Sequence, residues 1–299
     1  MPNYFSNGKV LLSGEYAVLF GAKAIGLPTK MGQSLSIDKR NDNFIEWTSI
    51  NINHEIWFKC LFKERDLTIS NTNNTEIAKK LQSILRAVKE LNPKFPISGK
   101  TIKTTLDFDL RWGLGSSSTL INNIAKWADV DPYDLLKKTF GGSGYDIACA
   151  SSKSPILFSL NSNNNPLIKK VRFCPDFNKN LFFIYQNKTQ NSQKSILNFK
   201  NNVTVNKSII DNISLISQNL LVSKTLNEFS DLIDNHENII SDLLEIDPLI
   251  KLFPDYKGTV KSLGAWGGDF FLAIGPEDSL EYFEDRNLKI GFRFKDFIL

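Results

Sequence analysis

The chain has 299 residues, enough for two lobes with separate cores, and its 41% hydrophobic and 23% charged content is that of a globular protein rather than a disordered or membrane-embedded one. Its 36 Lys and Arg against 32 Asp and Glu leave a net charge of +4 spread along the chain, and no basic block interleaved with aromatic residues points to a nucleic-acid partner. The widely spaced Cys60, Cys149 and Cys174 suggest neither a disulfide framework nor a thiolate zinc site, and a start unlike a leader, with no apolar run of roughly 20 residues, predicts a cytoplasmic protein with no membrane partner.

In chain order, residues 9–12 read as a short apolar strand that breaks at Ser13, Gly14 and Glu15, and a second apolar stretch covers residues 17–20. From Ile77, the residues Leu81, Ile84, Leu85, Val88 and Leu91 recur at helical spacing, predicting a helix with Thr75 as N-cap and Asn92 and Pro93 as its stop. Ile102, Thr104, Leu106, Phe108 and Leu110 alternate with polar residues, the period of a strand with one buried face. That strand runs into Gly113, Leu114, Gly115, Ser116, Ser117, Ser118 and Thr119, after which Ile121, Ile124, Ala125 and Ala128 predict a helix. A second glycine cluster, Gly141, Gly142, Ser143 and Gly144, precedes Tyr145 and Asp146, and a strand at residues 155–160 follows. Residues 161–166 read as a polar turn, and residues 171–173 and 181–185 as strands, with a lobe boundary near residue 176. Two helices follow, one through Ile209, Ile213, Ile216 and Leu220, the other through Leu226, Phe229, Ile233, Ile240 and Leu243, their stripes read as core faces. A third glycine loop, Gly264 to Asp269, leads into a strand at residues 270–274, and a helix near residues 280–283 and a strand near 290–294 close the chain.

Several convergent backbone N–H groups at a helix N-terminus hold phosphate well, and Gly113 to Thr119 offers that arrangement with hydroxyls added. The alternative is an ordinary strand-to-helix turn capped by serine. Neither a Walker A sequence nor the third glycine of a dinucleotide fingerprint is present. The two histidines, His54 and His236, lack a catalytic or metal-binding context and are read as surface or half-buried residues.

The segment Gly113, Leu114, Gly115, Ser116, Ser117, Ser118 resembles the second motif of the GHMP kinases, the family of galactokinase, homoserine kinase, mevalonate kinase and phosphomevalonate kinase. Two further segments match in the family's order: Gly8 to Val18 is similar to the first motif of the mevalonate and phosphomevalonate kinases, and Gly142 to Asp146 to their glycine-serine-glycine loop. Gly264 to Asp269 stands where the third motif is expected. The resemblance implies an α+β, two-lobed fold, with an N-terminal nucleotide-binding lobe over residues 1–176 and a C-terminal ferredoxin-like lobe over residues 177–299.

It also implies roles. Asp146 would be the catalytic carboxylate, and Lys9 beside it would keep Asp146 ionised and stabilise developing charge; a structural salt bridge is the alternative for that pair. Gly113 to Thr119 would bind ATP. Mg2+ would be held by Ser117 and an acidic residue for which Asp134 is the candidate, although the family's spacing falls on Leu135 and Asp134 also suits the start of a helix after Pro132. Glu15, Tyr16, Gly144, Gly267 and Gly268 would lie on the acceptor side, and the loop of Lys188, Gln190, Asn191 and Ser192 is similar to one that approaches the acceptor, a plain exposed loop being the alternative. Trp266 and Asp269 depart from the glycines expected in the third motif; the tryptophan would either stack on something flat or fill a smaller pocket. The function implied is an ATP-dependent small-molecule kinase of a small acidic metabolite such as mevalonate or phosphomevalonate, in isoprenoid biosynthesis, acting as a monomer or homodimer. Competing readings are a nucleotide-binding regulatory protein without catalysis and a decarboxylase of diphosphomevalonate.

Overall fold

The computed structural model describes residues 3–190, 192–203 and 205–299, with the side chains of residues 192–194 and 202 outside the description. In chain order the elements are β1 (Asn3–Ser13), β2 (Ala24–Lys39), β3 (Phe44–Ile50), β4 (Ile56–Lys63), β5 (Ile69–Thr72), α1 (Thr75–Leu91), β6 (Lys100–Leu106), α2 (Ser116–Ala128), α3 (Pro132–Thr139), α4 (Tyr145–Ser151), β7 (Ile156–Leu160), β8 (Pro166–Lys170) and β9 (Leu181–Tyr185). There follow α5 (Ser192–Asn202), α6 (Lys207–Leu220), α7 (Leu226–Leu244), β10 (Thr259–Ser262), β11 (Phe270–Ile274), α8 (Ser279–Glu284), β12 (Gly291–Arg293) and α9 (Phe294–Phe297). Two compact units result, one of Met1–Gly8, Met31–Leu110 and Leu114–Ser151, the other of Lys9–Lys30, Arg111–Gly113 and Ser152–Leu299.

In the first unit, β3 and β4 form an antiparallel hairpin, β6 returns parallel to β3 after α1, and the later part of β2 pairs antiparallel with β6. The alternation that marks β6 marks β3 too, where Ile45 and Trp47 point into the core and Phe44 and Glu46 are partly exposed. Ala78, Leu81, Ile84, Leu85 and Val88 of α1 and Ile121, Ile124 and Ala125 of α2 pack over these strands in one cluster. The cap of α1 is Asn74 rather than Thr75: its side-chain oxygen Oδ1 accepts the Ile77 N–H at 3.1 Å, leaving Thr75 as the first helical residue. The predicted strand to Leu110 ends at Leu106, and residues 110–112 form a 3-10 turn that enters the glycine loop.

The second unit contains a four-stranded antiparallel sheet in the order β10-β11-β9-β12, with α5 to α7 between its first two strands in sequence and α8 between its last two. Numbered along the chain, this is the βαββαβ ferredoxin-like arrangement the resemblance implies. Phe182, Ile184, Phe271, Ala273, Val260 and Phe283 fill one side of it. The strand expected at residues 171–173 is instead β8, immediately before it. Asn161 closes the turn by accepting the N–H groups of Asn163 and Asn165, both at 2.9 Å, so the return strand starts at Pro166 and matches the five residues of β7. The last strand is shorter than expected, giving way at Phe294 to α9. The stripes of α6 and α7 do face the core, at Ile213, Ile216, Leu220, Phe229, Ile233 and Ile240.

α7 begins with a capping box: the Thr225 hydroxyl accepts the Glu228 N–H at 3.2 Å, and the Glu228 carboxylate accepts the Thr225 N–H at 3.3 Å. Thr225→Ala is expected to lower stability by about 1 kcal/mol, measured as a shift in the urea midpoint without a change of slope. Among the described residues no helix is long and apolar enough to cross a membrane.

Candidate active site

In the first unit, α2 starts at Ser116 behind Gly115, which takes left-handed backbone angles (φ 85°, ψ 44°) and offers no side chain to cap the helix. The first-turn amides thus lack the usual side-chain acceptor, which is the arrangement that receives an anion. The four hydroxyls divide into two pairs. Ser118 donates to the Gly115 carbonyl at 2.8 Å, and Thr119 reaches the Ser116 carbonyl and the Gln33 side chain, both at 2.9 Å, so these two brace the helix. Ser117 is exposed and Ser116 half-buried, leaving them the better placed donors for a ligand. Buried Asn123 donates to the Gln33 carbonyl at 2.8 Å and accepts from Ser6 at 2.6 Å, which fixes α2 against the strands beneath it.

The second glycine loop ends at Gly144 (φ 81°), where a Cβ would come 2.9 Å from the Tyr133 ring. Only glycine allows this approach, and it delivers Asp146 into the first turn of α4, half-buried. α4 and α3 both pack on α2. Asp134 lies exposed in the first turn of α3, which Asp131 caps by accepting the N–H groups of Tyr133 at 2.8 Å and Asp134 at 3.0 Å. Asp134 thus stands at the start of a helix after Pro132.

The second unit holds Lys9, Glu15, Tyr16, Gly113, Lys188, Ser192, Gly267 and Gly268. The loop after β9 is bonded along the third glycine loop. The Lys188 carbonyl accepts the Asp269 N–H at 2.7 Å, Gln186 donates to the Gly268 carbonyl at 2.9 Å, and Gln190 donates to the Trp266 carbonyl at 2.6 Å. A Cβ on Gly268 would come 2.8 Å from the Lys188 carbonyl, so a small residue is required there. Ser192 begins α5, its side chain outside the described residues, as is Asn191 entirely.

Asp269 is buried in this loop, and its carboxylate accepts the Gln190 N–H at 3.1 Å. Burial pushes its carboxyl above the ordinary carboxylate range, while the Gln190 amide and the Lys9 charge pull the other way. Its carboxylate also lies against Gly113 (φ 67°), where a Cβ would collide with it. Gly113→Ala is therefore expected to cost about 1–3 kcal/mol of stability, read by urea unfolding, and a second substitution, Asp269→Ala, is expected to restore the steric part.

Trp266 is a packing residue. Its side chain is 2% exposed and lies in a core cluster with Tyr16, Ala17, Ala22, Phe199, Ile213 and Ile240. Tyr16 is held at both ends, its ring stacked on Phe199 at 4.5 Å and its hydroxyl donating to the Ala265 carbonyl at 2.7 Å. Burial raises this phenol to about 12, so it stays a donor.

Glu15 is fully buried, and its carboxylate is paired with Lys261, with His236 Nε2 at 3.3 Å from the other oxygen. His236 is a correction to the sequence reading: it is 0% exposed, on the core face of α7, and its Nε2 accepts the Gly14 N–H at 2.9 Å. His54 is exposed as expected. Burial, then the Lys261 charge, hold the His236 imidazole well below its usual pKa. Sequence reasoning also missed Lys261 and Glu237. The available signal was two polar residues at core positions of the α7 stripe, between Ile233 and Ile240.

No family model matches the chain, and no curated protein matches it. Solved structures do. The mevalonate kinase of Methanococcus jannaschii is 18% identical, with a TM-score of 0.73 over 97% of this chain and 96% of that one. The phosphomevalonate kinase of Streptococcus pneumoniae, in complex with phosphomevalonate and AMPPNP, is 15% identical, with a TM-score of 0.72 over 98% of this chain and 100% of that one. A D-glycero-D-manno-heptose 1-phosphate kinase from Bacteriodes thetaiotaomicron is 13% identical, with a TM-score of 0.69 over 99% and 95%. At these identities the likeness is one of fold, and it extends over nearly the whole of each chain.

Proposed function

Because this chain has the GHMP kinase fold, we propose that it is an ATP- and Mg2+-dependent phosphotransferase acting on a hydroxyl or phosphate of a small acidic metabolite, with mevalonate or phosphomevalonate the favoured acceptors. The observation that carries the reading is the start of α2, a glycine-led helix N-terminus with no side-chain cap and with Ser117 exposed beside it. The amides of Ser116 to Ser118 bind the nucleotide phosphates there.

Phosphoryl transfer asks a protein mainly to align the acceptor and neutralise charge. In this reading Asp146 takes the proton of the attacking acceptor oxygen, and Lys9 neutralises charge on the oxygens that exchange the phosphoryl group. Gly144, Gly267 and Gly268 let the backbone approach the acceptor, and Lys188 and Ser192 supply polar groups to it. Glu15 and Tyr16 act through the turn they build, since the carboxylate of one and the hydroxyl of the other are engaged within the protein.

Ser117, exposed at the start of α2, and Asp134, exposed in the first turn of α3, carry oxygen donors, the ligand type Mg2+ takes, and Mg2+ enters with nucleotide phosphates and keeps most of its water. Ser117 would hold it, with Asp134 the candidate acidic ligand, and when bound it would offset charge on the phosphate oxygens.

Thermal melts with ATP and Mg2+, followed by ADP release against a panel of acceptors, test this function. ATP-induced stabilisation without turnover of any acceptor would favour a regulatory nucleotide-binding protein, and CO2 release from diphosphomevalonate would favour a decarboxylase.

A further inference from the structure

The second unit contains a cluster of charged groups that phosphoryl transfer does not use. Lys261 of β10 is 0% exposed; its ammonium donates to the Glu15 carboxylate and, at 2.8 Å, to the Ser262 carbonyl. Glu237, next to His236 on α7, accepts the Ser262 N–H and hydroxyl, both at 3.0 Å, and the Leu249 N–H at 3.3 Å. His236 in turn receives the Gly14 N–H. One cation, two carboxyls and an imidazole are thus buried together, and two of them, His236 and Glu237, sit on the face of α7 that otherwise carries Phe229, Ile233 and Ile240.

Packing alone does not call for such residues, because apolar side chains of similar volume would fill the space without the desolvation cost. What the cluster does supply is geometry at both of its ends. At one end are Gly14 and Glu15, next to Tyr16, whose φ of 57° is a conformation that a non-glycine residue keeps only when its surroundings fix it. At the other end is Ser262, which leads into the third glycine loop, and the Tyr16 hydroxyl closes the circuit on Ala265 of that loop.

We propose that His236, Glu237 and Lys261 are positioning residues: a buried polar strut that ties the Gly14–Glu15–Tyr16 turn to the Gly264–Gly268 loop and so sets the acceptor side of the site. The strut itself stands on the hydrogen bonds above, whereas its effect on the acceptor rests on the proposed kinase function.

Hydrogen exchange of the full chain, read by mass spectrometry, separates the two. His236→Phe removes the acceptor of the Gly14 N–H while keeping a ring in place, and His236→Gln returns a side-chain carbonyl to it. In His236→Phe the peptides covering residues 13–20 and 262–268 should both exchange about tenfold faster, α1 and α2 should be unchanged, and His236→Gln should recover much of the protection. Acceleration confined to α7, or spread evenly over the chain, overturns the strut. Should His236→Phe not fold, Glu237→Gln is read in the same way, with the same two peptides expected to respond together. Steady-state kinetics with mevalonate and phosphomevalonate form the second arm. His236→Phe should raise the acceptor KM about tenfold, with ATP KM and kcat within about twofold of wild type. Linked exchange with no turnover by the wild type leaves the strut standing and removes the kinase function. Turnover with an unchanged acceptor KM removes the positioning role.

Discussion

Asp146→Asn is expected to lower ADP release by about 10²–10⁴-fold while ATP and Mg2+ still raise the melting temperature of the variant as they do that of the wild type. The substitution keeps the shape of the side chain in the first turn of α4 and leaves the start of α2 untouched. It removes the negative charge and with it the ability to take a proton. A fall in turnover with nucleotide binding retained would separate the acceptor chemistry proposed for Asp146 from the phosphate binding proposed for Ser116 to Ser118. An equal loss of both would mean that Asp146 acts through folding or nucleotide binding instead.

The largest effect on stability is expected at Lys261. Lys261→Met leaves Glu15 and Glu237 buried without their cation, and breaking a buried pair from one side costs about 3–5 kcal/mol. Urea unfolding at neutral pH measures this, and adding Glu15→Gln should recover part of the loss by removing an uncompensated charge.

The same cluster makes the stability of the fold depend on pH. Burial, opposed by Lys261 and the Ser262 and Leu249 amides, raises the Glu237 carboxyl from 4.5 to about 7. Between those values the folded protein holds a proton that the unfolded chain has released. The stability from this group is therefore full below 4.5 and lost as pH rises through about 7. His236 acts in the opposite sense: buried neutral, its contribution is present above 6.5 and lost as the unfolded chain takes up a proton at lower pH. The difference between wild type and Glu237→Gln isolates the first effect. Between about pH 5 and pH 8 it should shift in favour of the variant by about 2–3 kcal/mol.

The sequence revealed those elements whose pattern matches one period throughout. α1 and β6 have clear periodicity, β11 is an unbroken apolar run of strand length, and the glycine loops announce themselves by composition. The helix after Gly115 was legible for the same reason, but the division of labour among its hydroxyls was not. Ser118 and Thr119 look like ligand donors in sequence, and only the positions of Gly115, Ser116 and Gln33 reveal them as braces. Trp266 left two readings open, and the neighbours that decide between them, Phe199, Ile213 and Ile240, are distant along the chain. His236 failed for a related reason: its partners Gly14 and Glu15 lie more than two hundred residues away, and no local rule pairs them. A polar pair within the apolar stripe of α7 was the one signal available, and it marks a buried network as readily as a break in the stripe.

Phosphoryl transfer from ATP to a small acidic acceptor, the proposed activity of this protein, is read without intermediaries as ADP release by the purified full chain. With ATP, Mg2+ and a panel including mevalonate, phosphomevalonate and sugar phosphates, at least one acceptor should give sustained ADP release that Asp146→Asn loses. ATP-induced stabilisation with no acceptor-dependent ADP release across the panel would contradict phosphoryl transfer, and release that Asp146→Asn retains in full would contradict the role proposed for Asp146.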